Sequence, residues 1–283
     1  MNQLWNNGSE TDRLGLSDAE KAPLAELLRA YAALEDTVAV AIGGSLASGE
    51  GSASSDMDIY VFVRKDLPAE AREKLIKPLS SRYETGGDYF GPGDEYYYDS
   101  AEREFDVMYW NCGWFEGLLN DIWKNGQAWN GYTTAFLYTL KNFLIVYDPQ
   151  QWLANLQQCL DSPYPQELKR NIIRRNMMLL CDKPFSSYKS QIVSAVKKND
   201  FISINHRIAA FIASYFDIIF AVNELLHPGE KRLVQFAEKN CKILPDNFSG
   251  NLAELAFADR NNTSAIPEVL EKIIMELRKI IPA

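Results

Sequence analysis

The sequence predicts an α+β chain, with a mixed α/β half built on a twisted sheet with flanking helices and an all-helical bundle after it. Three observations carry this reading. Short β-branched and apolar runs closed by Gly or Pro fall only in the first half, and helical periodicity is interleaved with them. From about Gln151 onward nearly everything is helical in character, broken at Ser162-Pro163, Lys183-Pro184, His227-Pro228-Gly229 and Leu244-Pro245. No Gly/Ser linker and no internal repeat separates the halves, and the expected domains are residues 1–155 and 156–283.

The first helix is expected over Ser17 to Glu35, where Leu24, Leu27, Leu28, Tyr31 and Leu34 recur at helical spacing. Ser17 and Glu20 form a capping-box pattern at its start. Thr37–Ile42, stopped by Gly43-Gly44, and Met57–Val63 read as buried strands. Pro68 to Lys77 reads as helix, and Glu104 to Trp110 alternates as a strand does. Between them, Tyr83 to Tyr98 is rich in Gly and Tyr; its aromatics suit an edge strand, core packing or the border of a pocket. Trp114 to Asn125 and Thr133 to Leu140 read as helices, and Asn142 to Tyr147, closed by Asp148-Pro149, as the last strand.

Ile208 to Leu226 nears the length of a membrane span, yet Ser214, Asp217, Asn223 and Glu224 interrupt it, so a buried bundle helix is expected. Arg207, Ser214, Asp217 and Glu224 share one face of that helix, a polar stripe exposed to solvent or lining a cleft. Lys plus Arg number 29 against 38 Asp plus Glu, a formal charge of −9 that opposes broad nucleic-acid binding and favours small substrates or protein partners. Lys169, Arg170, Arg174 and Arg175 accordingly read as a solvated helix face. The four cysteines form no Cys-x-x-Cys pair, which speaks against a zinc ribbon or a disulfide scaffold. The start lacks a signal-peptide pattern, so the expectation is a cytoplasmic protein with no membrane contact, in which the Asn-x-Ser/Thr matches at Asn7, Asn247 and Asn262 carry no meaning.

The chemistry is concentrated between Ala41 and Val63. A strand ending in Gly43-Gly44-Ser45 turns sharply with no Cβ in the way, and its N–H groups and the Ser45 hydroxyl can hold a phosphate. Asp56 and Asp58, two apart at the start of the next strand, emerge on one face. Two such charges ~6 Å apart at an effective dielectric of ~20 repel by about 3 kcal/mol, so the pair calls for a cation, a proton or basic partners. Oxygen-only ligation suits Mg²⁺, which binds through one or two carboxylates together with substrate phosphates. Asp106 can supply a further carboxylate, and three such groups make a two-metal in-line displacement at phosphorus feasible. Glu104 shares its strand face and is the rival for that place; Asp106 is preferred because apolar neighbours flank it as they flank Asp58.

Gly44, Ser45, ten intervening residues, Asp56-Met57-Asp58 and later Asp106 stand in the order of the signature of the nucleotidyltransferase superfamily that includes DNA polymerase β, and the segment resembles that family over about Val38 to Val107. In organisation, a strand ending at Tyr147-Asp148-Pro149 and then a helical half, the chain is similar to the lincosamide and aminoglycoside nucleotidyltransferases and uncharacterised bacterial relatives. The resemblance implies that Asp56 and Asp58 hold metal, two Mg²⁺ ions being expected, and that Asp106 completes the site and receives the acceptor proton. It implies further that Gly43, Gly44 and Ser45 touch the triphosphate of an NTP, with ATP the expected donor. Many small members carry Arg where Ser48 stands, so positive charge must come from elsewhere; Lys231 and Arg232 are the candidates.

The expected function is transfer of a nucleoside monophosphate to a hydroxyl of a small molecule, an antibiotic-like acceptor being one candidate, with release of pyrophosphate; a second copy of the chain is a candidate partner. Asp217 or Glu224 are lesser candidates for the proton acceptor. Alternatives are AMP transfer onto a protein side chain and a nucleotide-binding regulatory module without turnover. His206 and His227 are the only histidines and lie far apart, so both read as structural and Ser45 is not a nucleophile.

Overall fold

The computed structural model describes Leu14, Leu16 and residues 18–49, 51, 55–88, 91–256 and 263–282. Ser17, the expected N-cap, lies outside the described residues, as do Tyr89, Phe90, residues 52–54 of the motif, and Asn7 and Asn262. The chain divides into two compact units, residues 1–119 with 139–162, and residues 120–138 with 163–283.

In the first unit the elements run α1 (Asp18–Ala32), β1 (Thr37–Ile42), the single turn α2 (Gly44–Ala47), β2 (Met57–Val63), α3 (Ala69–Ile76), β3 (Arg82–Gly87), β4 (Gly93–Tyr98), β5 (Arg103–Asn111) and α4 (Cys112–Leu119). After α5 (Ala135–Asn142) the chain adds β6 (Leu144–Tyr147) and α6 (Trp152–Cys159). The strands form one six-stranded mixed sheet in the order β3-β4-β5-β2-β1-β6, in which only the β2–β5 pair is parallel. One face is apolar because every second residue of β1, β2 and β5 is aliphatic or aromatic: Val40, Ile42, Ile59, Val61, Val63, Phe105 and Val107 pack there with Leu24, Leu27, Leu28 and Tyr31 of α1. Each such side chain taken wholly from water contributes about 1.5–3 kcal/mol. The other face carries Tyr60, Phe62 and Trp110 in edge-to-face contact with Phe143, and Phe62 also touches Phe115 and Trp152. That aromatic cluster fills one end of the face and leaves the other end polar.

The expected strands are all present, and the sheet holds two more. The Gly- and Tyr-rich stretch forms the antiparallel hairpin β3–β4. Its alternation is masked in sequence because the inward residues of β4 are Asp94, Tyr96 and Tyr98, the first of them charged. A buried ion pair makes that inward aspartate tolerable, since Asp94 lies 3.2 Å from Arg72 of α3.

The second unit is helical: α7 (Gln166–Met177), α8 (Tyr188–Lys197), α9 (Phe201–Val222), α10 (Leu233–Asn240), α11 (Phe248–Ala256) and α12 (Ile266–Ile280), with π-helical turns at Asn120–Lys124 and Met178–Asp182. Its core is built on α9, where Phe211, Tyr215, Ile218, Ile219 and Phe220 are buried, together with Leu270, Ile273 and Leu277 of α12. Among the described residues no helix is long and apolar enough to cross a membrane. The polar stripe of α9 takes neither expected form in full. Ser214 and Asp217 are buried inside the unit, and Glu224 is exposed.

Candidate active site

The polar end of the sheet face is organised around β2. Gly43 closes β1 by donating its N–H to the Asp58 carbonyl at 2.9 Å, which draws the Gly-Gly-Ser turn against the start of β2. Gly44 has φ +63°, and a Cβ there would lie 1.7 Å from Oδ2 of Asp58. Only glycine fits such an approach at that backbone angle. The turn is finished by the Ser48 hydroxyl, which donates to the Ser45 carbonyl at 3.1 Å.

Asp58 is half-buried on β2 and stands in register with Asp106 on the parallel neighbour β5. Asp106 in turn faces Glu95 on β4, and Glu95 faces Glu84 on β3. Four carboxylate-bearing positions thus form a row across four adjacent strands on one face, starting beside the glycine turn. Asp56, just ahead of β2, is exposed. Burial, and after it the charges of Asp58, Glu95, Asp56 and Glu104, push the Asp106 carboxyl up to about 6. Burial, followed by Asp58 and Asp106, also pushes the Tyr60 phenol upward. Asp58 and Asp56 thus both act on Asp106. Among the described residues no three His, Cys, Asp or Glu side chains form a ready-made metal cage.

Glu104 and Asp106 have different surroundings. Glu104 is exposed and takes a 2.7 Å ion pair from Arg82, whereas Asp106 is half-buried next to Asp58. Arg82 also lies over the Tyr97 ring, 5.5 Å from its centroid. Glu84, Glu95, Glu104 and Asp106 line a cavity of about 160 Å³ together with Arg82 and Tyr97. Sequence reasoning gave Glu84, Glu95 and Arg82 no role in the site. Their signal was the placement of Glu84 and Glu95 at alternate positions of two strands, which is visible only once the hairpin is recognised.

The remaining candidates belong to the helical unit. Lys231 and Arg232 are exposed in the turn before α10. Asp217 accepts hydrogen bonds from the Thr133 N–H at 3.0 Å, the Thr133 hydroxyl at 2.6 Å and Asn176 Nδ2 at 3.0 Å, and burial pushes its carboxyl up to about 6. Both its oxygens are thus committed to holding the 129–133 segment. Glu224 is held below its ordinary value by Lys169 and Gln166, which donate to it at 2.9 and 3.1 Å. His227 is buried, its Nδ1 accepts from the Gly229 N–H, and burial lowers it to about 3, which fits a structural role. All four cysteines are free thiols.

No known family profile matches the chain, and no curated protein does. Among solved structures it is similar to a nucleotidyltransferase-like protein from Exiguobacterium sibiricum, at 10% identity and a TM-score of 0.44, over 91% of this chain and 73% of that one. It is also similar to spectinomycin adenyltransferase AAD(9) from Enterococcus faecialis with ATP and spectinomycin, at 14% identity and a TM-score of 0.32, over 90% of this chain and 98% of the other.

Proposed function

We propose that the chain transfers a nucleoside monophosphate from an NTP, ATP being the expected donor, to a hydroxyl of a small molecule. The observation that carries this is the in-register pair Asp58 and Asp106 beside a turn in which Gly44 abuts the Asp58 carboxylate. The first-turn N–H groups of α2, with the Ser45 hydroxyl, would bind the phosphates.

The donor set fits Mg²⁺. It is made of oxygens only, and burial, followed by the neighbouring carboxylates, raises Asp106, a setting that suits a cation which takes its other ligands from phosphates and water. Asp56 and Asp58 would hold the metal with Asp106, two ions being the expected number. When bound, the metal supplies Lewis-acid stabilisation of the charge that develops on the phosphates.

In the transfer the acceptor oxygen forms a bond to the α-phosphorus as the bond to the pyrophosphate oxygen breaks. The hydroxyl proton passes to an Asp106 carboxylate oxygen. The glycine turn follows β1 on one side of Asp58 and the cavity lies on the β5-β4-β3 side of Asp106, so donor and acceptor would be bound on different sides of the carboxylate pair. The acceptor would enter by that cavity. Four carboxylates there stand against one guanidinium, which favours an acceptor carrying positive charge.

The test is pyrophosphate release from MgATP with a panel of amine-bearing alcohols, comparing the native chain with Asp58→Asn. The variant is expected to keep its circular dichroism and lose at least a thousandfold in rate; a fully active, folded Asp58→Asn chain overturns the assignment. Labelled ATP added to lysate identifies the acceptor class, because label in protein marks AMP transfer onto side chains. Nucleotide binding without turnover marks a regulatory module.

A further inference from the structure

On the face of the sheet opposite the acidic row, Arg72 and Asp94 form an ion pair in which both residues are at least nine-tenths buried. Asp94 Oδ1 also accepts the Gly86 N–H of β3 at 2.9 Å, and the Arg72 guanidinium lies 4.6 Å from the centroid of Tyr109 on β5. One carboxylate and one guanidinium therefore tie α3, β3, β4 and β5 together at the point where the β3–β4 ladder shifts register, between Glu84 and Gly87. Such a pair is a poor source of stability, since desolvation offsets its attraction and a well-packed apolar pair is often as stable. Here Arg72 Nε and Nη1 and Asp94 Oδ2 find no hydrogen-bond partner among the described residues, so the pair is retained as a charge contact without full satisfaction. What it supplies is direction. Asp94 immediately precedes Glu95, the residue opposite Asp106, and Tyr109 lies three residues after Asp106 on the same strand.

We infer that Arg72 and Asp94 are positioning residues that hold the β3–β4 hairpin so that Glu95 stays beside Asp106 and the cavity keeps its shape. The functional consequence rests on the reading of Asp58 and Asp106 as the metal-holding pair; the clamp itself does not.

The experiment compares the full native chain with Asp94→Asn and with the double variant Arg72→Met/Asp94→Leu. Asp94→Asn leaves a buried guanidinium unpaired and is expected to lower the melting temperature most. The double variant removes both charges and is expected to melt within a few degrees of the native chain. Its amides over 82–98 should nonetheless exchange with deuterium at least tenfold faster, with β1 and β2 unchanged. Paramagnetic broadening of the Glu95 amide by Mn²⁺ should fall at least twofold. If exchange and broadening return to native values together with the melting temperature, the pair is merely structural and the inference is overturned. Faster exchange spread evenly over all strands overturns it equally. Absence of Mn²⁺ broadening in the native chain counts against the metal site of the proposed function and leaves the exchange pattern to decide the clamp.

Discussion

Gly44 is the residue whose chemistry is least replaceable. A methyl group there meets Oδ2 of Asp58 at 1.7 Å on a backbone at φ +63°, so Gly44→Ala must displace the very carboxylate the site is built on. The left-handed angle alone costs about 1–2 kcal/mol. The expected outcome is a modest fall in melting temperature with at least a hundredfold loss of pyrophosphate release, whereas Gly49→Ala, with open space around it, strains the backbone but leaves Asp58 in place. Asp106 supplies a second test at this scale. Its folded value of about 6 lies above the ordinary aspartate value of 3.8, so its protonated form is favoured in the folded state. The associated stability is present below about pH 4 and is lost as pH rises through 6. Without metal, Asp106→Asn should therefore stabilise the chain at pH 7.5, by on the order of 1 kcal/mol once solvent screening of a half-exposed group is allowed for, and that gain should vanish near pH 4. Denaturant titration at the two pH values checks both the sign and the window.

At the scale of elements, what could be read from sequence was what depends on local pattern. β1, β2 and β5 are continuous apolar or alternating runs, and the Gly-Gly-Ser turn with Asp56 and Asp58 is a contiguous spacing. The β3–β4 hairpin was legible only as an edge-strand alternative for its aromatics, because Asp94 points inward against the rule for charges and is explained by Arg72, 22 residues earlier in the chain. With the hairpin went Glu84 and Glu95. The stripe on α9 shows the complementary limit. Spacing correctly put Ser214 and Asp217 on one face, but spacing carries no information about what covers a face, and here a segment from 129–133 supplies three of the polar atoms that meet Asn176 and Asp217. Asp217→Ala strands the Thr133 N–H and takes the acceptor from the Thr133 hydroxyl in a buried interior, an expected loss of about 3 kcal/mol. Asp217→Asn keeps an acceptor for the Thr133 N–H and should cost less than half as much. Equilibrium unfolding in urea separates the two variants, and equal losses would show that the hydrogen bonds to Thr133 do not hold the segment.

For the whole molecule, the two units have separate apolar clusters, and the acidic row belongs to only one of them. A divalent cation can therefore act on the chain in two ways. It can screen the overall charge of −9, which affects both units and is matched by NaCl at the same ionic strength. It can also bind the folded carboxylates of the first unit, which stabilises that unit by RT ln(1 + [L]/Kd), about 2.7 kcal/mol at a hundredfold excess over Kd. The second effect requires Asp58 and should be larger with ATP present, because phosphates complete the coordination. Calorimetry in Mg²⁺ and ATP should accordingly raise the transition of the sheet unit beyond what NaCl gives, leave that of the helical unit at its NaCl value, and lose the difference in Asp58→Asn. Equal stabilisation of both units by Mg²⁺ and NaCl, unaltered by that substitution, would mean that the carboxylates meet the ion only as part of a diffuse negative surface.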